Sequence, residues 1–319
     1  MANLTLLDIA KLNGNDQVVG LIEENLSSAP ELLTIPGRTI KGTSYTTGIR
    51  TGLPTVGFRG ANAGVASSKS TFKKSLIECF ILASQIQVDK AVADAHEDGA
   101  EALKMIEGSG VMQAALKRIG SQVWYGTASD ASGFPGLKAF LTAAGATSKG
   151  DPLTVNAGGT TATTASSVYA VKFGIKDVQM VFGANAAFAL GEWRTQTVID
   201  SNSLSFEAYV AALTAWVGMQ IGNEDSARRI YNLTADSGKG LTDARLSELL
   251  ATFPVGQRPD AIFASRRSVS QLQADRVVTL SGTDRTRPNQ PKVAAYPTEF
   301  EGIPIIPTDS ILNTDVIGS

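Results

Sequence analysis

Residues that carry chemistry are scarce in this chain. Cys79 is its only cysteine and His96 its only histidine. A single cysteine forms no disulfide within the chain, so nothing points to an oxidising compartment. A Ser-His-Asp or Cys-His arrangement would depend on His96 alone, and these two residues fall short of a zinc site. Nowhere do about 18 apolar residues follow one another, so the sequence offers no helical membrane span. Met1–Ala10 lacks the basic region and apolar core of a signal peptide, and the expectation is a soluble, intracellularly made protein. The pI near 5.6 argues against general nucleic-acid binding, which needs a strongly basic face.

Acid is missing from one whole stretch. Between Leu32 and Ile77 there is no Asp or Glu, while Arg38, Lys41, Arg50, Arg59, Lys69, Lys73 and Lys74 give it a charge of +7. The chain has 28 Lys and Arg against 30 Asp and Glu, a net of −2, so everything else sums to −9. The sign then inverts. From Gln87 to Glu107 six acids (Asp89, Asp94, Glu97, Asp98, Glu101, Glu107) face Lys90 and Lys104. Two surfaces of opposite sign in a nearly neutral chain are suited to meeting each other, within one molecule or between copies.

Catalytic motifs are weak. His96 lies among carboxylates on a helical stretch, where a solvated surface is the expectation. Cys79 precedes Phe80, Ile81 and Leu82 and reads as a small buried hydrophobe. Gly108-Ser109-Gly110 lacks the preceding strand and third glycine of a dinucleotide turn, and Gly238-Lys239-Gly240 lacks the Ser/Thr and leading glycine of a phosphate loop. Acid pairs such as Glu97/Glu101 and Glu224/Asp225 match a wet face. No cofactor is implied. The basic stretch has only Tyr45, Phe58 and Phe72 as aromatics, too few for a base-stacking platform.

With 319 residues and 43% hydrophobic composition the chain can bury a sizeable core, in two lobes or one domain with long excursions. Leu4–Leu26 reads as a helical arm broken at Asn13-Gly14-Asn15. Thr39–Thr51 and Thr71–Leu82, rich in Thr and β-branched residues, read as two strands joined by a Gly/Ser tip. Such a two-stranded excursion has no core of its own and needs a neighbouring surface. Asp89–Tyr125 reads as helix, with a kink or break expected at Gly108-Ser109-Gly110 because interior glycine costs about 1 kcal/mol against alanine. A short helix is expected over Lys138–Ala144, and Ala146–Ser167 reads as an exposed low-complexity loop. Strands are expected at Val168–Phe173, Val178–Phe182, Arg228–Leu233 (a sheet edge), Ala261–Ala264, Phe300–Ile306 and Ile311–Asp315, while Phe206–Ile221 fits strand or helix and is read as strand. Leu241–Phe253, capped by Thr242, and Ser268–Asp275 read as helices. The class is α+β.

The order of parts resembles the major capsid proteins of tailed bacteriophages, the Hong Kong 97-type capsid fold. The resemblance rests on Arg38–Tyr45 with Arg50–Arg59, Trp124–Thr127 with Gly133–Leu137, Trp216–Ile221 with Ser226–Leu233, and Phe300–Ile305 with Asp309–Leu312. It implies an N-terminal arm (1–31), an extended β-hairpin loop (32–82), a peripheral domain with a long spine helix (83–145), a mainly axial segment (146–260), and the axial remainder with closing strands of the peripheral domain (261–319). It further implies a shell subunit, not an enzyme. Many copies would form hexamers and pentamers enclosing double-stranded DNA in a virion. The protein would be made in the bacterial host cytoplasm, away from any membrane, with scaffolding, portal and decoration proteins as partners. Family members lay the extended loop over the neighbouring subunit, which would bring the seven cations towards Asp94, Glu97, Asp98, Glu101 and Glu107 of the next copy. The chain starts directly at its arm, which suggests a separate scaffolding protein or prior removal of a leader. Two other readings are an encapsulin-like compartment shell and a soluble carboxylate-dependent hydrolase.

Overall fold

The computed structural model describes residues 29–142, 145–147, 150–183, 189–276, 278–279, 291–292 and 294–318. The helical arm expected within Leu4–Leu26 lies outside the described residues. In chain order the elements begin with α1 (Glu31–Thr34), β1 (Gly37–Thr39), β2 (Ser44–Gly52), β3 (Thr71–Glu78) and β4 (Phe80–Asp89). Next come α2 (Lys90–Asp94), α3 (Gly99–Tyr125), α4 (Leu137–Phe140), β5 (Thr154–Asn156), β6 (Ser166–Val171), β7 (Val178–Phe182) and β8 (Ala189–Leu190). The remainder comprises β9 (Arg194–Ile199), β10 (Ser205–Ile221), β11 (Ala227–Leu233), α5 (Asp243–Ala251), β12 (Ala261–Ala264) and α6 (Arg266–Asp275). It closes with β13 (Val278–Thr279), β14 (Pro291–Lys292), β15 (Glu299–Phe300) and β16 (Ile303–Pro307).

Two six-stranded sheets carry the structure. The first is organised by β10, a strand of 17 residues whose segment Ala208–Val217 pairs antiparallel with β4, from Ala208↔Asp89 to Val217↔Phe80. Strand β9 also pairs with its start and β7 with its end, and β1 runs parallel to β7. This sheet therefore joins strands from both sides of residue 145. The second sheet has the order β15-β16-β12-β6-β11-β5. Helices α5 and α6 cover one of its faces through Leu246, Leu249, Val269 and Leu272, packed with Val168, Ile230 and Ile262. The C-terminal half of α3 occupies the space between the sheets. There Ile119, Val123 and Trp124 share a core with Tyr169 and Phe263 of the second sheet and with Met180 and Val217 of the first. The Trp124 ring lies 4.9 Å from Tyr169 and 5.0 Å from Phe263, within the range where tilted aromatic pairs attract.

Helix α3 runs unbroken for 27 residues, against the interruption expected at Gly108-Ser109-Gly110. Gly108 is a packing residue: a Cβ there would sit 3.1 Å from Leu190 Cδ2, so its bareness lets β8 approach the helix. The break comes earlier, at Ala95–Asp98. Gly99 takes a left-handed φ of +81° and its amide donates to His96 O at 3.0 Å, ending one helix and starting the next. His96 is consequently buried between α2 and α3, not on a solvated face. Its Nδ1 accepts from the Asp98 amide at 3.2 Å.

Other expectations shift for tertiary reasons. The Thr71–Leu82 stretch is divided at Cys79 between two sheets, because β3 pairs with β2 and β4 with β10. Among the described residues of Ala146–Ser167 only Thr160–Thr163 form a continuous exposed run. Val155 and Ala157 are buried, and β5 pairs with β11. Strand β11 is interior, lying between β6 and β5 with every residue buried. Its two arginines find most of their partners there, Arg228 Nε alone staying buried without one. Arg228 donates to Asp225 Oδ1 at 2.8 Å and to the Glu224 carbonyl at 2.9 Å. Arg229 donates to Ser167 Oγ through Nε (3.0 Å) and Nη2 (2.9 Å) and lies 4.0 Å from Asp315. Ile311–Asp315 is not a strand. Side chains serve its backbone: the Leu312 amide donates to Tyr125 Oη at 2.8 Å, and Ser166 Oγ donates to the Leu312 carbonyl at 2.9 Å. The cap Thr242 accepts from the Arg245 amide as its spacing predicts.

Candidate assembly surfaces

Strands β2 and β3 form a separate two-stranded sheet with register Tyr45↔Ile77, Ile49↔Lys73 and Arg50↔Phe72. Its root is fixed to the body. Ile77 and Cys79 are buried with Val181, and Ile40, Tyr45 and Trp216 pack around them. The Cys79 amide donates to Thr43 O at 2.8 Å. Tyr45 Oη donates to Gln220 Oε1, which also accepts from Gln179 Nε2 at 2.7 Å, while Gln220 Nε2 donates to Ile175 O at 2.7 Å. Burial pushes the Tyr45 phenol and the Cys79 thiol up from their ordinary values, so both stay neutral at physiological pH.

Beyond this root the hairpin leaves the body. The nine residues of β2 span about 30 Å at roughly 3.3 Å per residue, and residues 53–69, which join the two strands at the tip, are all exposed. Leu53, Val56, Phe58 and Val65 point into solvent at 76%, 92%, 112% and 67% exposure. The tip is nevertheless organised. Ser68 Oγ donates to Thr55 O at 2.9 Å, Arg59 Nη1 to Ala63 O at 2.7 Å, and the Thr51 and Thr71 hydroxyls lie 3.1 Å apart.

All seven cations of the segment are exposed, and among the described residues none pairs with a carboxylate. Their contacts are of another kind: Arg38 lies 4.9 Å over the Tyr45 ring and Arg50 5.5 Å over Phe72. The charge the sequence concentrates here is left standing, although ten other cation–carboxylate pairs form among the described residues.

The acidic surface is built by α2 and the first half of α3. Asp89 caps α2 by accepting from the Ala91 amide at 2.8 Å. Asp94, Glu97, Asp98 and Glu101 are exposed and Glu107 half-buried. Tyr209 Oη donates to Asp94 Oδ1 at 3.3 Å. Lys104 is mostly buried, donating to Glu101 Oε1 at 2.9 Å with its ammonium 3.7 Å over the Tyr209 ring. Glu101 itself is 86% exposed. The structure thus presents the two sequence-marked surfaces on one molecule without joining them. Reasoning from the sequence missed an open cavity of about 350 Å³ beside the acids, lined by Glu101, Met105, Met112, Leu190 and Trp193. Its two halves, 101–112 and 190–193, lie far apart in the chain, and only the bareness of Gly108 hints at them.

Among the described residues no cluster of His, Cys, Asp and Glu could hold a metal, and no helix is long and apolar enough to cross a membrane. A family model for the major capsid protein GP7 matches residues 14–317. Of solved structures, a chain of bacteriophage Epsilon15 is similar over 100% of this chain and 98% of its own length, at 20% identity and a TM-score of 0.67. The bacteriophage JBD30 capsid is similar over 96% and 99%, at 11% identity and 0.55. The JBD30 capsid decorated with minor capsid protein trimers is similar over 97% and 99%, at 13% identity and 0.55. At such identities the likeness is one of fold. No curated protein matches the chain.

Proposed function

Because the chain belongs to the major capsid protein GP7 family, and is therefore a head shell protein of the virion with the Hong Kong 97-type fold, we propose how its copies hold together. The basic hairpin of one subunit and its root lie on the acidic flank of the next, bringing Arg50, Arg59, Lys69, Lys73 and Lys74 of the hairpin, with Arg38 and Lys41 of the root, towards Asp94, Glu97, Asp98, Glu101 and Glu107. The observation that carries this reading is the set of seven exposed cations without a carboxylate partner among the described residues of their own chain. A two-stranded excursion is at best marginal in water, and a neighbour's surface supplies what it lacks. Each exposed ion pair contributes only about 0–1 kcal/mol, but repetition around a closed shell makes small contacts act together.

In this reading α3 is the spine helix, the β10 sheet with α3 forms the peripheral domain, and the second sheet with α5 and α6 forms the axial domain. Rings of six and five copies close the shell around double-stranded DNA, with portal, scaffolding and decoration proteins as the accompanying partners and the host cytoplasm as the place of synthesis. The near-neutral charge suits a container that does not grip its genome. Family membership favours this head shell over a cellular compartment or a soluble hydrolase. Electron microscopy of the purified protein tests it. Closed shells whose yield falls between about 0.1 M and about 1 M salt are expected; a stable monomer or dimer at all ionic strengths contradicts it.

A further inference from the structure

We propose that Phe58 at the hairpin tip is an apolar anchor that seats in the cavity between α3 and the β8–β9 segment of a second copy, with Arg59 reaching the Glu101 carboxylate at its rim. The inference rests on the docking reading above and assigns it a contact point. Phe58 is entirely exposed, yet the loop that carries it is braced by the Arg59–Ala63 and Ser68–Thr55 hydrogen bonds. A braced loop with an outward aromatic loses little freedom on binding, which is the condition for a strong contact.

The choice of receptor follows from matching both members of the Phe58-Arg59 pair. The cavity has an apolar floor of Met105, Met112, Leu190 and Trp193, with Met105 76% exposed, and methionine adapts readily to an aromatic guest. Its rim carries Glu101, on a segment 94–107 with five acids and one lysine, a charge of −4. The cavity lined by Leu32, Ile35, Leu116 and Met180 is apolar but has no charged residue in its lining. The one beside Ile119 and Gln122 has a carboxylate, Asp130, already held by Arg118 at 2.8 Å. Glu101 also accepts from Lys104, which lines the same cavity, but its side chain stays 86% exposed against 39% for Asp130, so of these three the first pairs an aromatic seat with the more accessible acid.

The buried Cys79 leaves a clean background for cross-linking. The double variant Phe58→Cys/Met105→Cys, assembled and mildly oxidised, is expected to form disulfide-linked multimers on non-reducing gels. Unassembled subunits and either single variant should form none. Shells that assemble without cross-linking overturn the proposal. Should the double variant not assemble, a cryo-electron microscopy map of unmodified shells decides. The Phe58 ring within about 4.5 Å of Met105, Met112 or Trp193 of the next copy supports it, and a ring in solvent or elsewhere overturns it. A hairpin on the acidic flank with Phe58 outside the cavity sinks this inference alone, whereas a hairpin away from that flank sinks the docking reading as well. Phe58→Ala is expected to raise the assembly threshold about tenfold without altering its salt dependence; an unchanged threshold also overturns the anchor.

Discussion

Reversing Lys73 and Lys74 to glutamate separates folding from assembly. In the hairpin register Lys73 faces Ile49 and Lys74 faces Gly48. Both side chains are exposed and pair with no carboxylate of the described residues, so the variant leaves no buried group unsatisfied. Surface changes of this sort stay within about 0.5 kcal/mol, and the subunit's Tm should move by less than about 2 °C. The segment's charge falls from +7 to +3, two reversals of two units each. At the interface each reversal forfeits an attraction of about 0–1 kcal/mol and adds a repulsion of similar size. Two sites then cost up to about 4 kcal/mol per contact, about 2 kcal/mol at mid-range, and every 1.4 kcal/mol is tenfold in an equilibrium constant. Each subunit gives one hairpin and receives one. The assembly threshold, read by sucrose-gradient sedimentation with microscopy of the fractions, should rise at least about tenfold at about 0.1 M salt. The deficit should shrink towards 1 M, where screening reaches about 3 Å. Adding Glu97→Lys/Asp98→Lys should restore part of the loss, as a cycle between contacting sites requires. A variant that assembles at the wild-type threshold in low salt refutes the reasoning.

Three further outcomes test the fold that presents these surfaces. Gly120→Ala should destabilise the subunit by about 1–3 kcal/mol in urea, against the roughly 1 kcal/mol gain that helix propensity predicts, because a Cβ would lie 2.5 Å from Glu31 Oε1 and Ser310 Oγ. A stabilised variant would show that this approach of α1 to α3 is absent. Arg229→Met should lower stability by about 1–3 kcal/mol, since Ser167 loses two hydrogen bonds and Asp315 one of its two cations, Lys138 remaining at 3.4 Å. Arg229→Lys should recover little, one ammonium being unable to replace the guanidinium fork. An unchanged urea midpoint would contradict that role. Burial pushes Tyr169 up to about 12 from its ordinary 10.0, with Asp315 adding to the rise and Arg229 opposing it. Its contribution is fully present below pH 10 and is lost as pH climbs through 10 towards 12. Urea midpoints should fall across that window, and Tyr169→Phe should flatten the fall; an identical slope would contradict the assignment.

Local pattern reveals elements, and tertiary context decides where they end and what they touch. The Thr242 cap with Leu246 and Leu249 and the short buried β12 were legible from local chemistry, whereas the pattern of β10 fitted strand and helix alike and its pairing with β4 decides it. The hairpin was legible from composition and the charge imbalance. Gly108 misled: a glycine in a helix is read as a weak point, and here its value is the space it leaves for Leu190, a residue far along the chain. Gly99 falls inside the Asp89–Tyr125 stretch read as helix, and its left-handed backbone makes it the boundary. His96 sat among acids in sequence and is buried because the chain turns there. The arginines of β11 gave β11 the look of a sheet edge, since nothing local announces that Ser167, Asp225 and Asp315 converge on them. The cavity beside Glu101 was illegible for the same reason, being assembled from two distant segments.

The account stands or falls on where the hairpin lies in an assembled shell. A cryo-electron microscopy map at side-chain detail should place residues 44–78 of each subunit along α2 and the first half of α3 of its neighbour, with basic and acidic side chains within about 4 Å. Density that places this hairpin against its own subunit, or across a neighbour's surface devoid of those acids, contradicts it.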